Sequence, residues 1–396
     1  MSSRRAVIVD VVRTPFGKGR AGGALSDQHP VDLLALTLAA LLDRTGLDPA
    51  LVDDVIAGCT LPVGEQSGNV ARHALLAAGL PVSVPGVSID RKCGSFQQSV
   101  HFAAQGVIAG AYDAAIACGV EMMSLVPMRA NRLGRDDLGP LLRARYPEGL
   151  IRQGISAELI AARWNLGRDE LDEFALRSHR LASAAREQGR LRGHLIPVPR
   201  PGGGTVTDDE GIRPDTSAER LAALPAAFAD EEMSRRFPEI GWRVTAGNSS
   251  PITDGAAAVL IMDADRAEAL GLRPRAAVTG FAVVGDDPVL MLTGIIPATR
   301  RLLERTGIGL DQIDLAEVNE AFSSVVLAWL AEFGYPAERL NVDGGAIAYG
   351  HPVGASGGRL LAACVDNLER TKGRYALMTM CESGGMANAT LLERAA

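Results

Sequence analysis

Short apolar runs alternate with longer helical segments along most of the chain. The run AVIVDVV at positions 6–12 indicates a buried first strand, and GVSID, DAAIACGVE and YALMTMCE indicate further strands. Strands that are apolar at nearly every position are typical of sheets covered by helices on both faces. The pattern therefore predicts an α/β fold built from βαβ units with mostly parallel, buried sheets.

The two ends of the chain repeat the same order of elements. LLDRTG at positions 41–46 returns as LLERTG at 302–307, and each copy closes a helix before an acidic turn. Further on, GVSID and LNVDGG each precede a glycine-containing turn and a small-residue helix, followed by another apolar strand. An internal repeat of this kind predicts two pseudo-symmetric halves.

The stretch between the repeats is rich in arginine and glutamate and has helical periodicity, which predicts a helical insertion. The chain returns to a core pattern in TAGNSSPITDGAAAVLIM, from position 245. We expect residues 1–120 with 245–274 to form the N-terminal half, 121–244 an inserted loop domain, and 275–396 the C-terminal half.

Composition narrows the class of protein. With 396 residues, 47% hydrophobic and 22% charged, the chain is long and apolar enough for a large core and is not disordered. A net charge of -7 argues against a nucleic-acid partner. Five scattered cysteines without a CxxC pair favour a reducing compartment. Neither end carries a recognisable targeting or membrane segment, so we expect a soluble, cytoplasmic protein without a membrane partner.

Cys93 is the first candidate for chemistry. It lies at a strand-to-helix turn, SIDRKCGSFQQ, where the start of the helix favours a thiolate through its dipole and free N–H groups. A buried cysteine is more often a small hydrophobic residue, and that alternative stays open for Cys93 taken alone.

His351 lies in the glycine-rich stretch GGAIAYGHPVGASGG, at the place in the second half that Cys93 occupies in the first. Glycines in such number suggest close backbone approach, although a structural histidine would also fit. A pseudo-two-fold axis would bring the two helix starts together. A thiol and an imidazole there form the nucleophile and base that thiol catalysis requires.

Two further candidates lie at other strand ends. Cys381 stands at the end of the strand YALMTMC, beside a glycine-rich turn, and Asn319-Glu320 lies between the strand LAEV and the helix SSVVLAWL. Cys381 could equally be a buried strand cysteine, as we expect for Cys59, Cys118 and Cys364. Asn319 or Glu320 could simply cap the following helix.

These motifs, taken in order, resemble the thiolase family, the acetyl-CoA acyltransferases. The resemblance runs nearly end to end, through TPFGK, CGS at Cys93, GVE, VTAGNSS, NEAF, GHPVGASGG and the terminal CESGGMA. It implies the layered α/β/α/β/α thiolase fold with a helical loop domain. Ketosynthases of the same superfamily lack the terminal catalytic cysteine.

The resemblance also implies catalytic roles. Cys93 would be the acylated nucleophile, His351 its base, and Cys381 the acid/base at the carbon α to the thioester. His351 and a water held by Asn319 would bind the enolate oxygen. Backbone N–H groups of Cys93 and Ser383 would form a second oxyanion hole.

Coenzyme A enters as a co-substrate in this interpretation, with acyl-CoA as the other ligand and no metal or permanently bound cofactor. By resemblance, Arg213 and Ser250 would lie along the coenzyme A path, and Met291 would cover the acyl group. Alternatively, Arg213 would be a surface charge, Ser250 a hydroxyl in a turn, and Met291 an ordinary apolar contact. The family further implies a homodimer or homotetramer.

The sequence departs from the family pattern at three places. Ser383 replaces a glycine after the second catalytic cysteine, which would cause strain if the position requires a positive φ. Leu292 replaces a glycine after Met291, and Arg152-Gln153 replaces a His-Met pair. The last two changes bear on the acyl-chain preference and not on the reaction class.

The sequence therefore predicts CoA-dependent thiolytic cleavage of 3-oxoacyl-CoA through a Cys93 acyl-enzyme. A biosynthetic acetoacetyl-CoA thiolase, a non-catalytic acyl-CoA-binding protein and a decarboxylating ketosynthase are the alternatives.

Overall fold

The structure is a computed structural model that describes residues 4–395; residues 1–3 and 396, which the expected halves include, lie outside the described residues. The strands are β1 (Ala6–Arg13), β2 (Gly17–Lys18), β3 (Asp54–Gly58), β4 (Gly86–Ile89), β5 (Ala114–Met122), β6 (Val198–Pro199), β7 (Thr205–Val206), β8 (Thr253–Asp263), β9 (Ala276–Gly285), β10 (Leu315–Val318), β11 (Tyr375–Glu382) and β12 (Met386–Arg394). The α-helices are α1 (Pro30–Thr45), α2 (Val70–Ala77), α3 (Ser95–Ala109), α4 (Gly139–Arg145), α5 (Gln153–Arg163), α6 (Arg168–Glu187), α7 (Ala218–Ala222), α8 (Glu231–Arg236), α9 (Ala264–Ala269), α10 (Ile295–Thr306), α11 (Ser323–Phe333), α12 (Ala346–Tyr349) and α13 (Ser356–Thr371).

The main sheet consists of two similar halves joined edge to edge. Its strand order is β10-β11-β12-β9-β1-β8-β5-β3-β4, with β2 added to β8. In the first half β4, β3 and β5 are parallel, and β8 and β1 are antiparallel additions. In the second half β10 and β11 are parallel, followed by antiparallel β12 and β9. The prediction of mostly parallel sheets is therefore wrong, because most strand pairs of the main sheet in the described residues are antiparallel. The halves meet where Val7 and Ile8 pair with Ala277 and Ala276.

The repeat extends to individual hydrogen bonds. At the end of α1 the Thr45 hydroxyl donates to the Leu41 carbonyl at 2.9 Å, and at the end of α10 Thr306 donates to Leu302 at 2.9 Å. The LLDRTG and LLERTG segments thus end equivalent helices in the same way.

Helices cover both faces of each half-sheet. Alternate residues of β8 face different layers: Leu260 packs with α1 and α2, whereas Ile261 packs with α3 and α13. Helices α3 and α13 lie between the two half-sheets, and α10 and α11 cover the outer face of the second. The result is the five-layered α/β/α/β/α arrangement that the thiolase resemblance implies, with both faces of the strands buried.

The halves differ at one edge. The first has the strand β4, whereas within residues 4–395 the corresponding LNVDGG segment makes one parallel bridge, between Leu340 and Ala316. The reason is Asn341, whose side chain accepts from Val318 N and donates to Val318 O, both at 2.9 Å. A side-chain amide there takes the place of a main-chain partner.

The segment between β5 and β8 contains α4–α8 and the β6-β7 hairpin. The domain boundaries near 120, 245 and 275 stay a prediction. Within residues 4–395, no helix is long and apolar enough to cross a membrane.

Candidate active site

Cys93 lies in the tight turn between β4 and α3, where Lys92 adopts φ 49° and Gly94 precedes the first helical residue. Its side chain is 5% exposed. Burial, followed by the charge of Glu382, raises the pKa of the Cys93 thiol to about 12. Hydrogen bonding from the Gln153 side chain and from the backbone of Ser383 and Cys93 acts in the opposite direction. The resting thiol is therefore protonated, and reaction requires a base.

His351 is the predicted base, and its own hydrogen bonds fix the orientation of its ring. Its Nδ1 lies 2.6 Å from Ser356 Oγ, and this hydroxyl donates to Pro352 O at 2.9 Å. Since the hydroxyl proton is used on Pro352, we assign the ring proton to Nδ1, which leaves the Nε2 lone pair free. Nε2 is buried without a partner among residues 4–395. Burial, with a smaller effect of Arg359, lowers the pKa of His351 to about 4, so the imidazole is neutral at rest.

The backbone segments that carry these two residues are in close contact. A Cβ added to Gly357, in the first turn of α13, would lie 3.0 Å from Gln97 N in α3. Buried Glu121 supports the same junction, since its carboxylate accepts from Thr60 N at 2.9 Å and Gly354 N at 3.0 Å. The two helix starts therefore meet at the centre of the molecule. The correspondence is not residue for residue, because Cys93 lies two positions before α3 and His351 five positions before α13.

Cys381 and Asn319 lie at the carboxyl ends of two neighbouring parallel strands. Val318 of β10 pairs with Thr379 of β11, and Asn319 N donates to Thr379 O at 3.0 Å. Cys381 is fully buried, and burial and then the charge of Cys93 raise its pKa, so the two thiols are neighbours. Within the described chain, both polar side-chain atoms of Asn319 are buried without a hydrogen-bond partner.

The NEAF segment does not serve as a helix cap. In the described structure Phe322 occupies the cap position of α11, and no side chain closes that helix start. Instead the Glu320 carboxylate accepts from Ser178 Oγ at 2.6 Å, Asn341 Nδ2 at 2.9 Å and Ile347 N at 3.2 Å. Glu320 thus holds the loop that leads to His351.

Ser383 is accommodated without backbone strain. The left-handed conformations of this turn belong to Gly384 (φ 90°) and Gly385 (φ 76°), whereas Ser383 is not among the positive-φ residues of the described chain. Its backbone lies close enough to the Cys93 thiol to lower the pKa of that thiol. The position therefore has no need for glycine, and the donor group is retained.

The three predicted ligand-binding residues have different surroundings. Met291 is buried with φ 49° and belongs to the same apolar cluster as Cys381, together with buried Leu292. Ser250 is half-buried, and its N–H donates to Ala321 O in the NEAF segment at 3.0 Å. Arg213 is exposed; its backbone N–H donates to His179 Nδ1 at 3.3 Å. The structure thus buries Met291 in the apolar cluster that includes Cys381, joins Ser250 to the NEAF segment, and places Arg213 on the surface.

Several residues at the site were not predicted as functional. Ser356 had a visible signal, because it follows His351 within one glycine-rich turn. Gln153 was noted only as a departure from the family pattern. Glu121 lies in the GVE motif and Glu320 in the NEAF motif, but the hydrogen bonds that define their roles go to residues distant in sequence. Glu382 had no signal besides its place next to Cys381.

Comparison with known families agrees with this geometry. Residues 6–265 match the thiolase N-terminal domain, and residues 272–394 match the thiolase C-terminal domain. The chain belongs to the thiolase family, and it is an acyltransferase.

Individual relatives cover the whole length. The steroid 3-ketoacyl-CoA thiolase FadA6 of Mycobacterium tuberculosis is 45% identical over 98% of this chain and 94% of its own. The 3-oxoadipyl-CoA/3-oxo-5,6-dehydrosuberyl-CoA thiolase of Escherichia coli is 41% identical over 99% of this chain and 100% of its own. The crystal structure of the Bacillus anthracis acetyl-CoA acetyltransferase superposes with a TM-score of 0.88, at 34% identity and 99% coverage of both chains.

Proposed function

We propose that the protein is a thiolase that cleaves 3-oxoacyl-CoA with free CoA, giving acetyl-CoA and a shortened acyl-CoA. The observation that carries the proposal is the meeting of the Cys93 thiol, the Cys381 thiol and the Ser383 backbone at one buried point. The names of the relatives, which include 3-ketoacyl-CoA thiolases of two organisms, favour the same substrate class.

In the first half-reaction the Cys93 sulfur attacks the 3-oxo carbon while His351 Nε2 takes the thiol proton. The N–H groups of Cys93 and Ser383 hold the alkoxide that forms. The C2–C3 bond then breaks, and its electron pair moves into the enolate of the departing acetyl-CoA. Cys381 protonates C2, and His351 with a water bound by Asn319 holds the enolate oxygen.

In the second half-reaction CoA replaces Cys93 on the acyl group. The Cys381 thiolate left by the first step takes the proton of the CoA thiol, whose sulfur attacks the Cys93 thioester. The tetrahedral intermediate collapses to acyl-CoA, and Cys93 recovers its proton from His351. The N–H donors are already in position and the thiol and imidazole are neutral before reaction. The free-energy cost of reorganising the buried site during the reaction is therefore low.

We place coenzyme A along Ser250 and Arg213, with residues 121–244 as the loop domain that binds it and Met291 over the acyl group. We also propose a homodimer or homotetramer in the cytoplasm. The edge strand β4, which pairs on one side with β3, supports association, and five free cysteines favour a reducing compartment. Light scattering on the purified protein would measure the assembly, and a monomer would contradict it.

The test of function is to incubate the enzyme with CoA and 3-oxoacyl-CoA of increasing chain length, and to follow loss of the enolate absorbance. Cys93→Ser should lower turnover by at least about 1,000-fold, because a hydroxyl is a far weaker nucleophile. Cys118→Ala, at a buried thiol outside the site, is the matched control and should retain activity.

Two other outcomes would change the assignment. Turnover of acetoacetyl-CoA alone would favour a biosynthetic enzyme. Binding of acyl-CoA without a covalent acetyl group on Cys93, measured by intact mass, would indicate a non-catalytic protein.

A further inference from the structure

Glu382 is a fully buried carboxyl group that the thiolase mechanism does not use. It follows Cys381 on β11 and, as the next residue of a strand, points to the opposite face. Neither of its oxygens has a hydrogen-bond partner among residues 4–395. A Cβ added to Gly94 would lie 2.0 Å from Glu382 Oε1, so the carboxyl group is packed against the backbone directly after Cys93.

The Glu382 carboxyl is surrounded by amide, charged and thiol groups. Asn388 Nδ2 donates to Gly94 O at 3.0 Å, and Asn388 Oδ1 is buried without a partner in the described chain. The charged groups that act on Glu382 are Arg91 and Asp90, from the turn before α3, and the nearby titratable groups on which Glu382 acts are the thiols of Cys93 and Cys381. On β12 the paired residue Met386 and the neighbour Asn388 carry no charge.

A carboxylate in this position has little to stabilise it. No ion pair within 4.0 Å joins Arg91 to Glu382 in residues 4–395. Burying an unpaired charge is costly, so the group keeps its proton at neutral pH. Burial is the main cause that raises the pKa of Glu382 to about 8, with Arg91 lowering it and Asp90 raising it.

The ionised group would also act on its neighbours. A negative charge on Glu382 raises the pKa of Cys93 and of Cys381, after the larger effect of burial. Loss of the Glu382 proton therefore works against formation of the Cys93 thiolate.

We propose that Glu382 is a positioning residue that sets the alkaline limit of Cys93 acylation. As the neutral acid it leaves the nucleophile active, and as the carboxylate it suppresses thiolate formation at Cys93. The inference rests on the proposed thiolase function for its link to catalysis, whereas its effect on the thiol can be measured without any substrate.

The test compares the wild type with Glu382→Gln, a neutral isostere, from pH about 6 to about 10. Single-turnover acetylation of Cys93 by acetyl-CoA is followed by intact mass. The wild-type rate should fall about tenfold below its plateau at pH about 9, one unit above the carboxyl pKa, whereas the variant should show no such fall. At pH about 7 the two rates should agree within about threefold.

A second measurement uses iodoacetamide, which alkylates the thiolate. The alkylation rate at Cys93 should level off near pH about 8 in the wild type and continue to rise in Glu382→Gln. Glu382→Asp, which keeps an ionisable carboxyl, should restore an alkaline limit and serves as the alternative if the glutamine variant does not fold.

Two results would overturn the proposal. One is the same decrease of the acetylation rate at alkaline pH in the wild type and in Glu382→Gln. The other is a rate in Glu382→Gln that is lower than the wild-type rate by the same factor at every pH. If the wild type is never acetylated, the thiolase assignment fails, yet the alkylation profiles still decide whether Glu382 controls the Cys93 thiol.

Discussion

The two central helices begin at matching places in the duplicated fold, but the turns before them are built differently. The turn before α3 carries Cys93 and is held mainly by hydrogen bonds among its own residues, such as Ser95 Oγ to Lys92 O at 2.6 Å, with the Glu382 carboxyl packed against Gly94. The turn before α13 carries His351 and is held by a hydrogen bond from His351 Nδ1 to Ser356 Oγ and by one from Gly354 N to the distant residue Glu121. The duplicated fold has equivalent helix starts, and the two different turns place a cysteine on one side and a histidine on the other.

The contrast has a chemical reason. Each hydrogen bond to a nucleophilic thiol changes its reactivity, and those at Cys93 lower its pKa against the larger effect of burial. A base acts only in the correct tautomer and orientation, and these depend on the partner of its second nitrogen. Substitutions in the two turns should therefore act in different ways.

The largest effect is expected for His351→Ala, which removes both the base and one enolate ligand. Turnover should fall by about 1,000-fold or more, as for the loss of a catalytic base. The measurement is kcat/KM for thiolysis, with His73→Ala at an exposed position as the control. Activity within tenfold of wild type would show that the α13 turn does not carry the base.

A smaller effect is expected for Ser356→Ala, which leaves the imidazole in place but removes its partner. The free Nδ1–H and lost orientation should lower kcat by about 10- to 100-fold. Ser356→Thr keeps the hydroxyl and should recover most of the rate. Equal rates for the alanine and threonine variants would contradict the assigned tautomer.

The smallest effect is expected for Ser383→Gly, in the turn between β11 and β12 that lies close to Cys93. The N–H donor is unchanged, so kcat/KM should stay within about threefold, and extra backbone freedom should lower the unfolding free energy by about 0.4–1 kcal/mol. Gly384→Ala, at φ 90°, should cost more, since a left-handed backbone excludes a Cβ. Urea denaturation of both variants measures this, and a rise in stability for Ser383→Gly would reveal hidden strain.

The family resemblance was readable from the sequence, and the candidate catalytic set could be predicted, because both lie in short motifs. Cys93, His351, Cys381 and Asn319 each sit in a strand-end or helix-start segment with its own local signal. The pattern of apolar strands likewise predicted both the α/β class and the repeat. The absence of a strand at LNVDGG could not be predicted in the same way. There the Asn341 side chain takes the hydrogen bonds of Val318 that a neighbouring strand would make, and Val318 is distant in sequence.

What the sequence determined by itself was local: the strands, the helix starts and the residue types that stand at them. What only the tertiary structure decided was the environment of each group. The Nδ1 tautomer of His351, the ordinary φ of Ser383 and the solvent-free position of Glu382 all arise from contacts between segments far apart in the chain. Burial and long-range packing set protonation, and no local pattern records them.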